Sequence, residues 1–342
     1  MAYISFQPKD YFNTVLYSGA NKSVTGVGFQ PDWCWIKQRN TASSALFDAV
    51  RGTTKFVESN STNAEVTDAT TLTAFGSDGF TLGADSSGYV GGSSQATVAW
   101  NWKANGQGSS NTDGSINTTY TSADTTSGFS ICQYTGTGAN ATVGHGLGAV
   151  PKMMLVKKTS GSESWGVYHH SIGNTKFLQL NATGAEGTSS AFWNNTTPTS
   201  SVFSIGTENG VNQSGQTYVA YCFAEKKGFS KFGSYVGNGN ADGAFVYTGF
   251  KPAFIMIKRT NANDNWNIFD NKRAGYNFAN YRLFANDSAA ENTSSGRIDI
   301  LSNGFKQRSN ETDTNGSGNP HIYMAFAEEP LVASNGVAAV AR

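Results

Sequence analysis

The chain has 342 residues with equal numbers of acidic and basic side chains, so its formal net charge is zero. Charged residues make up 14%, against roughly 25% in ordinary soluble domains. That balance offers no electrostatic footprint for nucleic acid or an anionic membrane, and no apolar run approaches the roughly 20 residues of a spanning helix.

The first ten residues, MAYISFQPKD, have neither the basic region nor the apolar run of a secretory signal, which predicts synthesis in a cytoplasm without export. From Gly28 the chain reads GFQPDWCWIKQR. The pattern returns as GLGAVPKMMLVKKT from Gly146 and as GFKPAFIMIKRT from Gly249. In each copy a Pro (Pro31, Pro151, Pro252) precedes a Lys (Lys37, Lys157, Lys258) by six positions. Internal repetition of this kind governs the reading of the whole fold.

The other landmarks recur in the same order. An aromatic–x–Gly step opens each copy at Tyr17, Tyr134 and Tyr235, and Phe47, Tyr168 and Phe269 follow the Lys run. Then come Asn60 and Glu65, Asn181 and Glu186, Asn286 and Glu291, always five positions apart. Phe80, Phe203 and Phe305 precede a closing alternation of Val98-x-Trp100-x-Trp102, Val219-x-Tyr221-x-Phe223 and Ile322-x-Met324-x-Phe326. Alternation with period two, cut by turns such as SDGF and SNGF, predicts strands; one short helix is expected around Ser288–Glu291.

The expected architecture is all-β: three tandem β-sandwich, jelly-roll-like modules of about 100 residues each. Their boundaries fall at 6–104, 129–227 and 228–330. The Gly/Ser/Thr/Asn-rich stretch 105–128 reads as a linker or extended arm, and 331–342 as a C-terminal tail. Cys34, Cys132 and Cys222 lie at non-equivalent places, an odd count that argues against disulfides and a zinc site.

A residue that returns in three diverged copies reads as structural before catalytic. The Asn–Glu step is expected to tie a loop to the backbone, and the Lys pairs at strand ends (Lys157-Lys158, Lys258-Arg259) to be solvated edge charges. Exceptions to the repeat are the better functional candidates. His169-His170 replaces Asp48-Ala49 and Asp270-Asn271, but neighbours on a strand point to opposite faces and rarely share one metal ion. Trp193, Asn194 and Asn195 sit in a polar run without an aromatic counterpart; an exposed Trp between amides suits a sugar face, and packing at an interface is the other reading. Tyr276 and Phe278, around Asn277, allow the same two readings. No motif for nucleophilic, zinc or nucleotide chemistry is present, so no catalytic residue, cofactor or metal is assigned.

The stretches FQPKDYFNTVLYSG, GVGFQPDWCWIKQR, YVAYCFAEKKGFSKFGSYVGNG and IYMAFAEEP resemble the repeat domain of virion structural and tail-fibre-like proteins of tailed, notably marine, bacteriophages. The likeness covers residues 6–330. It implies a non-enzymatic virion protein on the particle exterior, in the tail fibre or receptor-binding apparatus, with other virion proteins and a host surface glycan as partners. A homotrimer is the assembly expected for a fibre. The alternatives are a capsid decoration (cement or head-fibre) protein and an enzyme that degrades surface polysaccharide.

Overall fold

The computed structural model describes residues 6–40, 42–92, 94–294, 297–332 and 340. Residues 333–339 and 341–342 of the expected tail lie outside them. Within them the regular secondary structure is nearly all strand, as the alternation predicts. The three α-helices, Ser190–Trp193, Asn209–Asn212 and Thr312–Asn315, are single turns. No helix among the described residues is long and apolar enough to cross a membrane. The short helix expected near Ser288 does not form: Asp287 accepts from Ala289 N at 2.9 Å in a tight turn, and Glu291 N leaves for Arg39 O at 2.8 Å.

Three large antiparallel sheets share one strand order. In the first, the opening strand Phe12–Ser18 pairs with the closing strand Ala96–Trp102, which pairs with the lysine strand Trp33–Gln38, then Ser44–Asp48. The second runs Phe129–Thr135, Thr217–Ala224, Pro151–Lys158, Gly166–His169, and the third Ser230–Val236, Pro320–Pro330, Phe250–Arg259, Asn267–Asp270. Even the register repeats: Lys37 lies opposite Val98, Lys157 opposite Val219 and Lys258 opposite Ile322.

A smaller sheet covers one face of each large one. These are Lys22–Thr25 with Gly79–Leu82 and Leu72–Gly76, Ala141–Gly144 with Val202–Ile205, and Phe245–Tyr247 with Gly304–Gln307 and Ile298–Leu301. The result is sandwich-type packing, each pair filled by its own apolar cluster. The SDGF and SNGF turns need their glycines. A Cβ would stand 2.0 Å from Val24 O at Gly79 and 2.1 Å from Val246 O at Gly304.

The other face of each large sheet is buried too, because all three turn it toward one shared core. Six of the seven tryptophans (Trp33, Trp35, Trp100, Trp102, Trp165, Trp266) meet there with Met153, Leu155, Phe254 and Met324. Burial on both faces is why the lysine strands read as nearly unbroken apolar runs rather than strict alternation. At about 25 cal/mol per Å², burying a Trp of about 200 Å² is worth roughly 5 kcal/mol before entropy, which makes this cluster the largest single reason for the sheets to associate.

The stretch 105–128, expected as a linker, carries a strand, Tyr120–Asp124, on the edge of the second large sheet. Its hydroxyls let a polar sequence be buried. Thr118 and Thr121 bond each other at 2.8 Å, and Ser122 Oγ accepts from Asn105 N at 2.8 Å. Composition marked the stretch as polar without showing that these polar groups have partners.

Candidate functional site

The recurring residues converge on three seams between neighbouring large sheets. Each repeat lysine is fully buried and crosses a seam to a backbone carbonyl. Lys37 donates to Asp287 O (2.9 Å), Lys157 to Thr62 O (2.9 Å) and Lys258 to Thr183 O (3.0 Å). The first sheet pair thus meets the second, the second the third, and the third the first, closing a ring. The expectation of solvated edge lysines fails because each ammonium replaces water with carbonyls turned toward it by the next pair's loop. Burial pulls all three down to about 8, partly offset by nearby carboxylates.

The Asn–Glu step builds the other half of each latch. Asn60, Asn181 and Asn286 accept from the backbone N of Ser44, Trp165 and Trp266 at 2.7–2.9 Å, holding the loop against its own sheet. The backbone N of Glu65, Glu186 and Glu291 then donates across the seam to Thr159, Thr260 and Arg39 O. Each acceptor lies two residues beyond a repeat lysine. Trp165 and Trp266 add indole bonds to Glu58 O and Gln179 O across two of the seams.

Deeper in, two seams hold buried ion pairs. Arg51 Nε meets Asp48 Oδ2 at 2.6 Å, and Arg273 Nε meets Asp270 Oδ2 at 2.5 Å, with all four side chains fully buried. Each carboxylate also accepts from the next pair's closing strand: Asp48 from Tyr221 Oη at 2.7 Å, Asp270 from Trp100 Nε1 at 3.0 Å. The repeat Glu completes the network, Glu65 on Arg51 and Glu291 on Arg273. Burial raises Asp270, but Arg273 outweighs it and the carboxyl ends below its ordinary value. The D-x-x-R spacing stands in the sequence at Asp48 and Asp270 and was the available signal for these pairs.

At the equivalent place the second seam carries no charge. His169 and Ile172 stand where the others have Asp and Arg, and the next closing strand offers Met324 in place of Tyr221 or Trp100. A buried Asp there would lack both of the side-chain donors that serve Asp48 and Asp270. His169 instead donates from Nε2 to Tyr323 O at 3.2 Å and accepts at Nδ1 from Ser171 N. Burial first, then His170, pushes its pKa down to about 3, so the ring is neutral. His170 Nε2 bonds Phe232 O at 2.8 Å. Both histidines therefore serve the seam. No group of three or more metal-ligating His, Cys, Asp or Glu occurs among the described residues.

The ligand-contact candidates separate. Trp193, read as an exposed sugar platform or an interface contact, is instead fully buried in its own sheet pair under the second small sheet, its Nε1 bonded to Lys176 O at 3.1 Å. It ends a helical turn that Asn194 caps in a left-handed conformation, followed by Asn195 in the same region. The flanking amides that suggested a sugar site are there for backbone geometry. Tyr276 and Phe278 stay exposed, at 84% and 45%. Phe278 packs beside Arg297 and Arg308, whose guanidinium carbons lie 5.7 and 5.4 Å from its centroid. Arg308 also approaches Asp242 and Asp299, and Lys306 pairs with Asp242 at 2.5 Å. Phe245 and Tyr247, missed in the sequence although F-V-Y alternates, are exposed on the same small sheet, Phe245 opposite Lys306. The third pair thus presents aromatic rings among charges of both signs, where the first presents Ser23 bonded to Thr81. Such a face can stack on a flat polar partner and exchange hydrogen bonds with it.

No curated protein matches the chain. A family model described as a domain of unknown function (DUF7483) matches residues 7–330 and runs through all three sheet pairs without a break. The chain belongs to that family.

Proposed function

We propose that this protein is a non-enzymatic structural part of a tailed-bacteriophage particle, displayed on its exterior in the tail-fibre or receptor-binding apparatus. The observation that carries this reading is the ring of seams. The ionisable residues that recur in every pair, led by Lys37, Lys157 and Lys258, join neighbouring sheets instead of converging on a cleft. The sequence resemblance over residues 6–330 supports the particle assignment. The exposed Phe245, Tyr247, Tyr276 and Phe278 supply a surface for a host glycan or a neighbouring particle protein. A homotrimer is the assembly this reading expects.

One observation favours a second place on the particle, a capsid decoration. The shared tryptophan core makes the three sheet pairs one block rather than a shaft, and a block tiles a capsid as readily as it ends a fibre. Cryo-electron microscopy of the particle tests both. Density at the tail supports the fibre reading, density tiled over the head supports decoration, and a particle lacking the protein refutes both. Release of reducing sugar from host envelope by the purified chain would instead make it an enzyme.

A further inference from the structure

Only two of the three seams are crossed by the chain itself. The seam between the third and first pairs closes by non-covalent contacts alone, and there the residue after the buried acid is Asn271 where the second seam has His170. His170 is long enough to bond Phe232 O on the next opening strand. Asn271 is shorter. It is 2% exposed, its Oδ1 has no hydrogen-bond partner among the described residues, and it lines a cavity of about 300 Å³. An unpaired buried amide group costs about 1–3 kcal/mol, and among the buried side-chain atoms without a partner, which include Trp33 Nε1, Trp35 Nε1 and Asn267 Oδ1, Asn271 Oδ1 belongs to a residue that borders this cavity.

The rest of the lining narrows what fits. Phe12, Ala253 and Ala327 give an apolar side, and Phe12 belongs to the shared core. Its rim carries both signs of charge, Lys9 and Lys272 with Glu328 and Glu329, and Glu328 is paired with Lys251 at 3.2 Å. With both signs on its rim, the cavity is not built around a single ion of either charge. A carboxamide can turn its oxygen or its nitrogen toward a ligand, which suits a hydroxyl, a group that both donates and accepts. Ligand cavities run from about 300 to 1,000 Å³, so this one has room for a single ring.

We propose that the cavity binds one uncharged sugar residue, its hydroxyls on Asn271 and the charged rim and its ring against Phe12, Ala253 and Ala327. The ligand class rests on the glycan-contacting part of the proposed function. The test below is separate from the microscopy that locates the protein, so either can fail alone. Saturation-transfer NMR on the full chain would use the methyl glycosides of glucose, galactose and N-acetylglucosamine, with sialic acid and glucosamine as anionic and cationic comparisons. Transfer from at least one uncharged glycoside is expected, weakened about tenfold by Asn271→Leu, the worth of one hydrogen bond to a buried group. Lys272→Ala, at an exposed rim position, is expected to weaken it several-fold with an unchanged melting curve, and carries the test should Asn271→Leu not fold. No transfer from any uncharged glycoside, or preference for a charged probe, would overturn the proposal. So would binding that survives both substitutions but disappears in Tyr247→Ala, since that places the sugar on the exposed aromatic face.

Discussion

The seam between the first and second sheet pairs and the seam between the second and third meet the same demand with different chemistry. Both must bury the end of a strand against the next closing strand. The first uses Asp48, Arg51 and Tyr221, a charged cluster in which every formal charge has a partner. The second uses His169, Ile172 and Met324, with no charge at all. Because all three positions differ together, the unit of design is the triad. A buried carboxylate is tolerable only where the neighbour brings a donor and its own strand brings an arginine.

The largest expected effect comes from opening a charged triad. Arg51→Met or Arg273→Met leaves Asp48 or Asp270 buried with one donor fewer and is predicted to cost about 3–5 kcal/mol in urea unfolding. A loss below about 1 kcal/mol would show that these pairs do not hold the ring.

Moving one triad into the other seam sharpens the comparison. His169→Asp alone is predicted to destabilise by about 3 kcal/mol, because the new carboxylate meets Ile172 and Met324. Adding Ile172→Arg and Met324→Tyr should recover most of that loss, and a cycle of the single, double and triple variants measures the coupling. Strict additivity would mean the three positions are independent.

The lysine latches are common to all seams, so their loss should be similar at each. Lys157→Met leaves Thr62 and Glu163 carbonyls without their ammonium and is predicted to cost about 1–3 kcal/mol. A latch that matters at one seam alone would break the equivalence of the three.

Acid should distinguish the neutral seam. His169 takes its proton near pH 3 in the folded chain and near 6.5 when unfolded. Between those values the unfolded chain holds more protons, so the stability from the neutral ring, full above 6.5, falls as pH drops toward 3. A His169→Gln variant should show a shallower loss across that window than the parent. An identical slope would mean that His169 does not contribute. The smallest effect is expected at the exposed face, where Tyr276→Ala should change stability by less than about 0.5 kcal/mol.

The strands, their order of landmarks and the structural role of the Asn–Glu step were legible because period-two alternation and repetition are local signals. The seams were not. Lys157 and Lys258 look like edge charges until the loop carbonyls that receive them, 95 and 75 residues away, are in place. The amides beside Trp193 suggested a sugar face, with interface packing as the other reading, yet those amides serve a left-handed turn beside a Trp buried in its own sheet pair. The polar stretch 105–128 hid a strand for a similar reason: composition reports the polarity of a side chain, not whether it has a partner. Of the contact candidates, Tyr276 and Phe278 remain at the surface, and Phe245 and Tyr247 join them.

The central claim is that one ring, closed by three seams over a shared core, folds as a unit. Scanning calorimetry of the full chain, compared with Lys157→Met, tests it most directly. A single transition is expected, with calorimetric and van't Hoff enthalpies that agree, shifted as a whole to lower temperature by the substitution. Three separable transitions, of which Lys157→Met moves only one, would contradict it and make the sheet pairs independent domains.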